Sequence, residues 1–190
     1  MSGENTIIEE WIRVKVPNPP EIQEVKIKPK ETALLVLDVQ NSNCNNERRP
    51  RCVKTLYKIQ TVLEKARERE MTVIFTLTSA ASKADMRREV LPKKEELVIK
   101  AGVDKFFETE LEKKLKENKI KTVIIVGTSA NGAVLSTAIG AAVRKLVTIV
   151  PIDAISATYP YEEQYTVWHL ANSPGTRRST ILTKANLITI

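Results

Sequence analysis

Four stretches of this chain are apolar almost without interruption, and each is only as long as a strand. They are TALLVLDVQ (32–40), MTVIFT (71–76), TVIIV (122–126) and LVTIVPI (146–152). A strand with one wet face alternates apolar and polar residues, whereas a strand covered on both faces reads as a continuous apolar run. Such runs need helices above and below them, and the intervening segments have that character. Residues 53–69 carry apolar side chains at 53, 56, 59, 62, 63 and 66, which is helical spacing. Residues 106–118 read as a charged amphipathic helix, 133–145 as a helix of small residues and 161–172 as a further helix. Short strands are expected at 97–99 and 180–183. The alternation predicts an α/β domain, a parallel sheet between helical layers, over residues 31–190. Residues 1–30 form an arm, broken by Pro17, Pro19, Pro20 and Pro29, that does not sustain a helix throughout. A chain of 190 residues suits one such core.

Composition removes several classes of function. No apolar run reaches the roughly 20 residues that span a bilayer. The N-terminus, MSGENTIIEEWIRV, is acidic where a signal peptide is basic and apolar, so a cytoplasmic chain is expected. The single histidine excludes sites that need two imidazoles. Two cysteines cannot form a four-thiolate zinc site, and Cys44 and Cys52 lack the C-x2-4-C spacing. His169, on a helix, is read as a packing or surface residue, and no metal or other cofactor is called for. The net charge of +7 raises the question of nucleic acid. However, the basic clusters are interleaved with glutamate, as in ETELEKKLKENK, and aromatic residues make up only 5%. With no RNP-type or helix-turn-helix signature, the charge reads as a solvated surface.

Ligands of open α/β sheets bind at the carboxyl ends of the strands. Three places qualify: Asp38 near the end of the first apolar run, Lys100 at the end of ELVIK, and GTSANG after the fourth strand. A carboxylate at the end of a buried strand is costly unless paired, although an Asp that caps the following loop is an equal reading. An isolated lysine at such a place more commonly marks the strand's exit into solvent. GTSANG fails as a phosphate loop because Ala133 and Val134 follow Gly132. It fails as a G-x-S-x-G elbow because position 131 is Asn. What remains is a turn that presents backbone N–H groups at a helix start, suited to an anion or a developing oxyanion, or an ordinary strand-to-helix turn.

In order and spacing, TALLVLDVQN, VIKAGVDKFFETEL and TVIIVGTSANGAVLSTAIGAAVRKLVTIVPIDAISA resemble the isochorismatase-like cysteine hydrolases over about residues 31–158. That superfamily includes isochorismatase, nicotinamidase and N-carbamoylsarcosine amidase. The resemblance implies a three-layer fold with a six-stranded parallel sheet, self-association, and hydrolysis of a small amide, carbamoyl or enol-ether substrate. It implies catalytic roles for Asp38 and for Lys100, which stands six residues before Phe106. It also implies an oxyanion hole at the backbone N–H groups of Ser129 and Ala133, and a cis peptide at Thr128–Ser129. The nucleophilic cysteine of the family falls at Ala133, and a methyl group can neither attack a carbonyl nor carry an acyl group. Asn131 and Gly132 depart from the family as well, which reads as native divergence rather than a single designed replacement. A non-catalytic pocket for a small anion is the competing reading. The metal site of nicotinamidases is not expected with one histidine. Cys44, six residues beyond Asp38, has three readings: a relocated pocket nucleophile, half of a disulfide with Cys52, or an inert thiol. The disulfide or inert thiol is preferred.

Overall fold

The structure is a computed structural model and describes residues 5–189. Nine strands occur among them: β1 (Val25–Lys26), β2 (Thr32–Leu37), β3 (Thr72–Thr78), β4 (Leu97–Ala101), β5 (Thr122–Thr128), β6 (Val147–Pro151), β7 (Ile155–Ser156), β8 (Thr180–Thr183) and β9 (Ile188–Thr189). The α-helices are α1 (Ile7–Glu10), α2 (Pro50–Glu68), α3 (Leu111–Glu117), α4 (Leu135–Val143) and α5 (Pro160–Asn172). The central sheet runs β4-β3-β2-β5-β6-β8, every pairing parallel, with the two-residue β7 added alongside β5. It therefore has seven strands, one more than expected. β6 pairs with β5 over Thr122–Ile124, then leaves through a 3-10 turn at Ile152–Ala154, and β7 returns to pair with Gly127 and Thr128.

The continuous apolar runs are explained by burial on both faces. Along β2 every residue is buried; Leu34 and Val36 enter one core, while Ala33, Leu35 and Leu37 enter the other. The first core lies under α2, which contributes Leu56, Ile59, Val62 and Leu63. The second lies under α3, α4 and α5, with Leu111, Leu115, Leu135, Ala138 and Leu170. Burying one such leucine stabilises the fold by about 2–3 kcal/mol. Among its described residues, the arm carries the short α1 and a 3-10 turn at Trp11–Arg13 ahead of its prolines, and it joins the domain where β1 pairs with β9.

β5 approaches β2 unusually closely at its carboxyl end. Gly127 has φ 115°, and a Cβ there would lie 2.1 Å from the Leu37 carbonyl oxygen. Only glycine fits that conformation and that approach. The consequence is functional geometry, because the strand ends carrying Asp38 and Thr128 are drawn together.

The helix expected over 106–118 is shorter and begins at Leu111. Glu108 takes φ 53°, and Asp104 Oδ1 accepts the Phe106 N–H, so 102–110 forms an irregular loop instead of the first turns of a helix. That loop supplies the residue that the sequence reading missed.

Candidate functional site

Asp38 follows the last residue of β2 and adopts φ 50°, a left-handed conformation that Asp tolerates better than most residues. This ends the strand and leaves the side chain 6% exposed. Burying a carboxylate demands partners, and it has two. Lys105 Nζ donates to Asp38 Oδ2 at 2.7 Å, and Thr76 Oγ1 donates to Oδ1 at 2.7 Å. The Asp38 N–H also donates to the Thr76 carbonyl of neighbouring β3. Lys105 has no exposed side-chain surface, and its ammonium donates as well to the Gly102 carbonyl at 2.7 Å. Its backbone N–H reaches Thr137 Oγ1 on α4. An ammonium has three donor hydrogens, so one remains beyond these two contacts.

The lysine that pairs with Asp38 is thus Lys105, and Lys100 is not its partner. β4 buries Ile99 and Ala101 in the core, and strand alternation sends the intervening Lys100 the other way, where it is exposed. Lys105 lies in the irregular loop and escapes that alternation. Its only sequence signal is position: the pair Asp104–Lys105, between Val103 and Phe106–Phe107, interrupts an apolar stretch.

The turn after β5 completes the site. The peptide bond between Thr128 and Ser129 is cis. Residues Ala130–Val134 then form a single π-helical turn that leads into α4. Gly132 and Val134 both donate their N–H groups to the Ser129 carbonyl, and Ser129 Oγ bonds Asn131 Oδ1. Ala133, expected to open a helix, sits fourth in this turn and is buried. Val103 lies about a van der Waals contact from where a Cβ on Gly132 would be, so the Lys105 loop and the turn adjoin.

Thr128 links the turn to its surroundings. Its Oγ1 donates to the Ser156 carbonyl at 3.0 Å and accepts a hydrogen bond from Arg49 Nη1 at 3.0 Å. Arg49 and Thr76 are further members of the site that sequence reasoning did not single out. Burial, reinforced by the neighbouring Arg48 charge, lowers the pKa of Arg49 from its ordinary value, against the opposing pull of Glu162 and Asp38.

Cys44 and Cys52 form a disulfide with their Cα atoms 5.2 Å apart, and both are fully buried. No cysteine among the described residues is free. The reading of Cys44 as a pocket thiol is therefore replaced by a structural one: its sulfur is held in the bridge that closes the loop bearing Arg48 and Arg49. His169 lies on α5, its Nδ1 3.3 Å from the Tyr165 hydroxyl, half-buried at the surface. Among the described residues, no group of three or more His, Cys, Asp and Glu side chains could hold a metal ion. No helix among them is long and apolar enough to cross a membrane.

Comparison with known structures finds this fold repeatedly. An isochorismatase family protein from Desulfovibrio vulgaris subsp. vulgaris str. Hildenborough superposes with a TM-score of 0.75 at 18% identity, covering 82% of this chain and 95% of that one. The N-carbamoylsarcosine amidase from Thermoplasma acidophilum gives 0.71 at 22% identity, covering 82% and 97%. A nicotinamidase from Staphylococcus aureus gives 0.68 at 21% identity, covering 82% and 99%. No curated protein sequence matches the chain. At these identities the structural likeness speaks to the fold, and the family follows from the sequence itself. Residues 32–181 match the model of the isochorismatase domain, and the chain belongs to the isochorismatase domain family.

Proposed function

We propose that this chain hydrolyses a small amide, carbamoyl or enol-ether substrate by direct attack of water, with no cysteinyl intermediate. The observation that carries the reading is the Asp38 carboxylate, buried and fixed by Lys105 and Thr76 beside the turn at 128–134. In this reading Ala133 stands where the family's nucleophile would be, and its methyl group leaves room for a water molecule. Asp38 accepts a proton from that water as its oxygen bonds the carbonyl carbon. The carbonyl oxygen takes the negative charge and faces the N–H groups of Ser129 and Ala133. The proton then passes from Asp38 to the leaving nitrogen as the C–N bond breaks. With an enol ether, a solvent proton adds to the double bond, and water adds to the resulting oxocarbenium carbon as Asp38 takes its proton. Asp38 returns that proton to the departing alcohol while the carbonyl product releases one to solvent. Lys105 keeps Asp38 oriented and offsets its charge throughout.

The deep burial of the Asp38–Lys105 pair also supports a second reading, a pocket that binds a small anion without consuming it. Turnover separates the two. A panel of small amides, ureido acids and enol ethers, followed by mass spectrometry, should include at least one member that wild type consumes. Cys44→Ser/Cys52→Ser should retain that activity, and Asp38→Asn should lose at least about a hundredfold of it. Stabilisation by a panel member without turnover would favour the binder.

The arm supports self-association in the same reading, since Ile8 and Ile12 are 73% and 93% exposed in the single chain. A cytoplasmic setting would require the buried Cys44–Cys52 bridge to withstand a reducing pool.

A further inference from the structure

Five arginines are half-buried among the described residues, and four of them have a carboxylate at hand. Arg51 pairs with Glu163, Arg67 with Glu96, Arg87 with Glu89 and Arg144 with Glu112. Arg49 is the exception. Among the described residues its guanidinium makes one side-chain hydrogen bond, from Nη1 to the neutral Thr128 hydroxyl, and none of their carboxylates lies within ion-pair distance. Its Nε is closed off from water and has no acceptor. Ser156 Oγ, one strand away from Thr128, is likewise buried without a partner. Removing a guanidinium from water without a counter-charge is costly, and proteins seldom keep such a group unless something binds it.

The position of Arg49 is also enforced. It is the residue before α2, and the Cys44–Cys52 bridge closes the loop that carries it. That bridge and the Thr128 contact hold the guanidinium against the cis-peptide turn on the border of the site.

We propose that Arg49 recognises a carboxylate group on the molecule that this site takes. The inference deepens the functional reading above and rests on the same pocket. Thr128 takes one N–H of Nη1, so Nη2 and the second Nη1 N–H remain for a ligand, and a planar guanidinium meets a planar carboxylate through two parallel N–H···O bonds. The substrate class narrows accordingly to small carboxylic acids that also carry the hydrolysable amide, carbamoyl or enol-ether group. The negative charge settles on Arg49, while the reacting carbon lies toward Asp38 and the 129–133 turn. Lys could supply the charge at position 49 but not the fork.

Binding tests this without any turnover, so its failure and the failure of the hydrolytic reading are separable. The probes are acetate, lactate and benzoate, each against its neutral amide, titrated at fixed ionic strength into the full chain. The buried Nε–H of Arg49 is followed by arginine-selective NMR. At least one carboxylate should shift that resonance saturably and bind at least tenfold more tightly than its amide. Arg49→Gln should abolish the preference and Arg49→Lys should weaken it, while Arg48→Gln, which removes the adjacent exposed charge, should preserve it. Equal binding of acid and amide, or an acid preference that survives in Arg49→Gln, would overturn the proposal. If Arg49→Gln does not fold, an Arg49 Nε–H in wild type that no carboxylate moves would overturn it equally.

Discussion

Replacing Lys105 with methionine preserves the length of the side chain and removes only its charge and donors. The carboxylate of Asp38 then keeps the Thr76 hydroxyl as its one side-chain partner, in a site where it is 6% exposed. Leaving one member of a buried pair without its counter-charge typically costs about 3–5 kcal/mol. Taking about 4 kcal/mol, the folding equilibrium should shift by nearly a thousandfold. Lys100→Met is the contrasting variant: this lysine is exposed and forms no ion pair among the described residues, so the change should stay within about 0.5 kcal/mol. Urea denaturation at pH 7, read by both circular dichroism and tryptophan fluorescence, gives each value. Asp38→Asn/Lys105→Met should recover part of the loss, because no charge is then stranded, and a double-mutant cycle should return a coupling of roughly 1–3 kcal/mol. A Lys105→Met cost below about 1 kcal/mol, or an equal cost at Lys100, would refute the assignment of the ion pair.

Other consequences follow from single observations. Gly127→Ala should cost more than about 3 kcal/mol or prevent folding, since its Cβ meets the Leu37 carbonyl. Gly175→Ala, in open space, should change little, and similar midpoints for the two would contradict the close approach. Cys44→Ser/Cys52→Ser should destabilise by about 2–3 kcal/mol, lowering the melting temperature by roughly 5–10 °C. An unchanged melting temperature under oxidising conditions would argue against the bridge. Asp85 is partly buried, which raises its pKa, but hydrogen bonds from Ser42 and Gln40 outweigh burial and hold it below the ordinary aspartate value. Its contribution to stability is therefore complete above the unfolded value of about 3.9 and is lost as pH falls through the lower folded value. Denaturation midpoints between pH 5 and 2 should fall less steeply in Asp85→Asn; identical slopes would sink that account.

The sheet was legible because burial on both faces writes itself into sequence as unbroken apolar runs, and β2, β3 and β5 are such runs. β7 was not, since two residues that pair only at the end of β5 carry no pattern of their own. Asp38 stood out as a charge at the end of an apolar run. Its partner did not, because Lys105 stands just ahead of the helix expected over 106–118, in a segment with no periodic pattern, and the structure extends that segment as an irregular loop up to Leu111. The lysine that motif spacing favoured, Lys100, is turned outward by strand alternation. Arg49 was hidden in a run of basic residues that looks like solvated surface. Its distinction is the absence of a carboxylate partner, a relationship in space that no local sequence pattern records.

The central claim is that Asp38, Lys105 and the 129–133 turn make one reactive pocket around position 133. Ala133→Cys in the Cys44→Ser/Cys52→Ser background places a single reporting thiol there, and the rate of its alkylation by iodoacetamide is measured across pH. The Lys105 cation and the N–H groups of the turn favour a thiolate. The account predicts an apparent pKa clearly below the unperturbed value of about 8.5 and alkylation at neutral pH faster than at an exposed cysteine. A thiol that titrates at or above about 8.5 would contradict it.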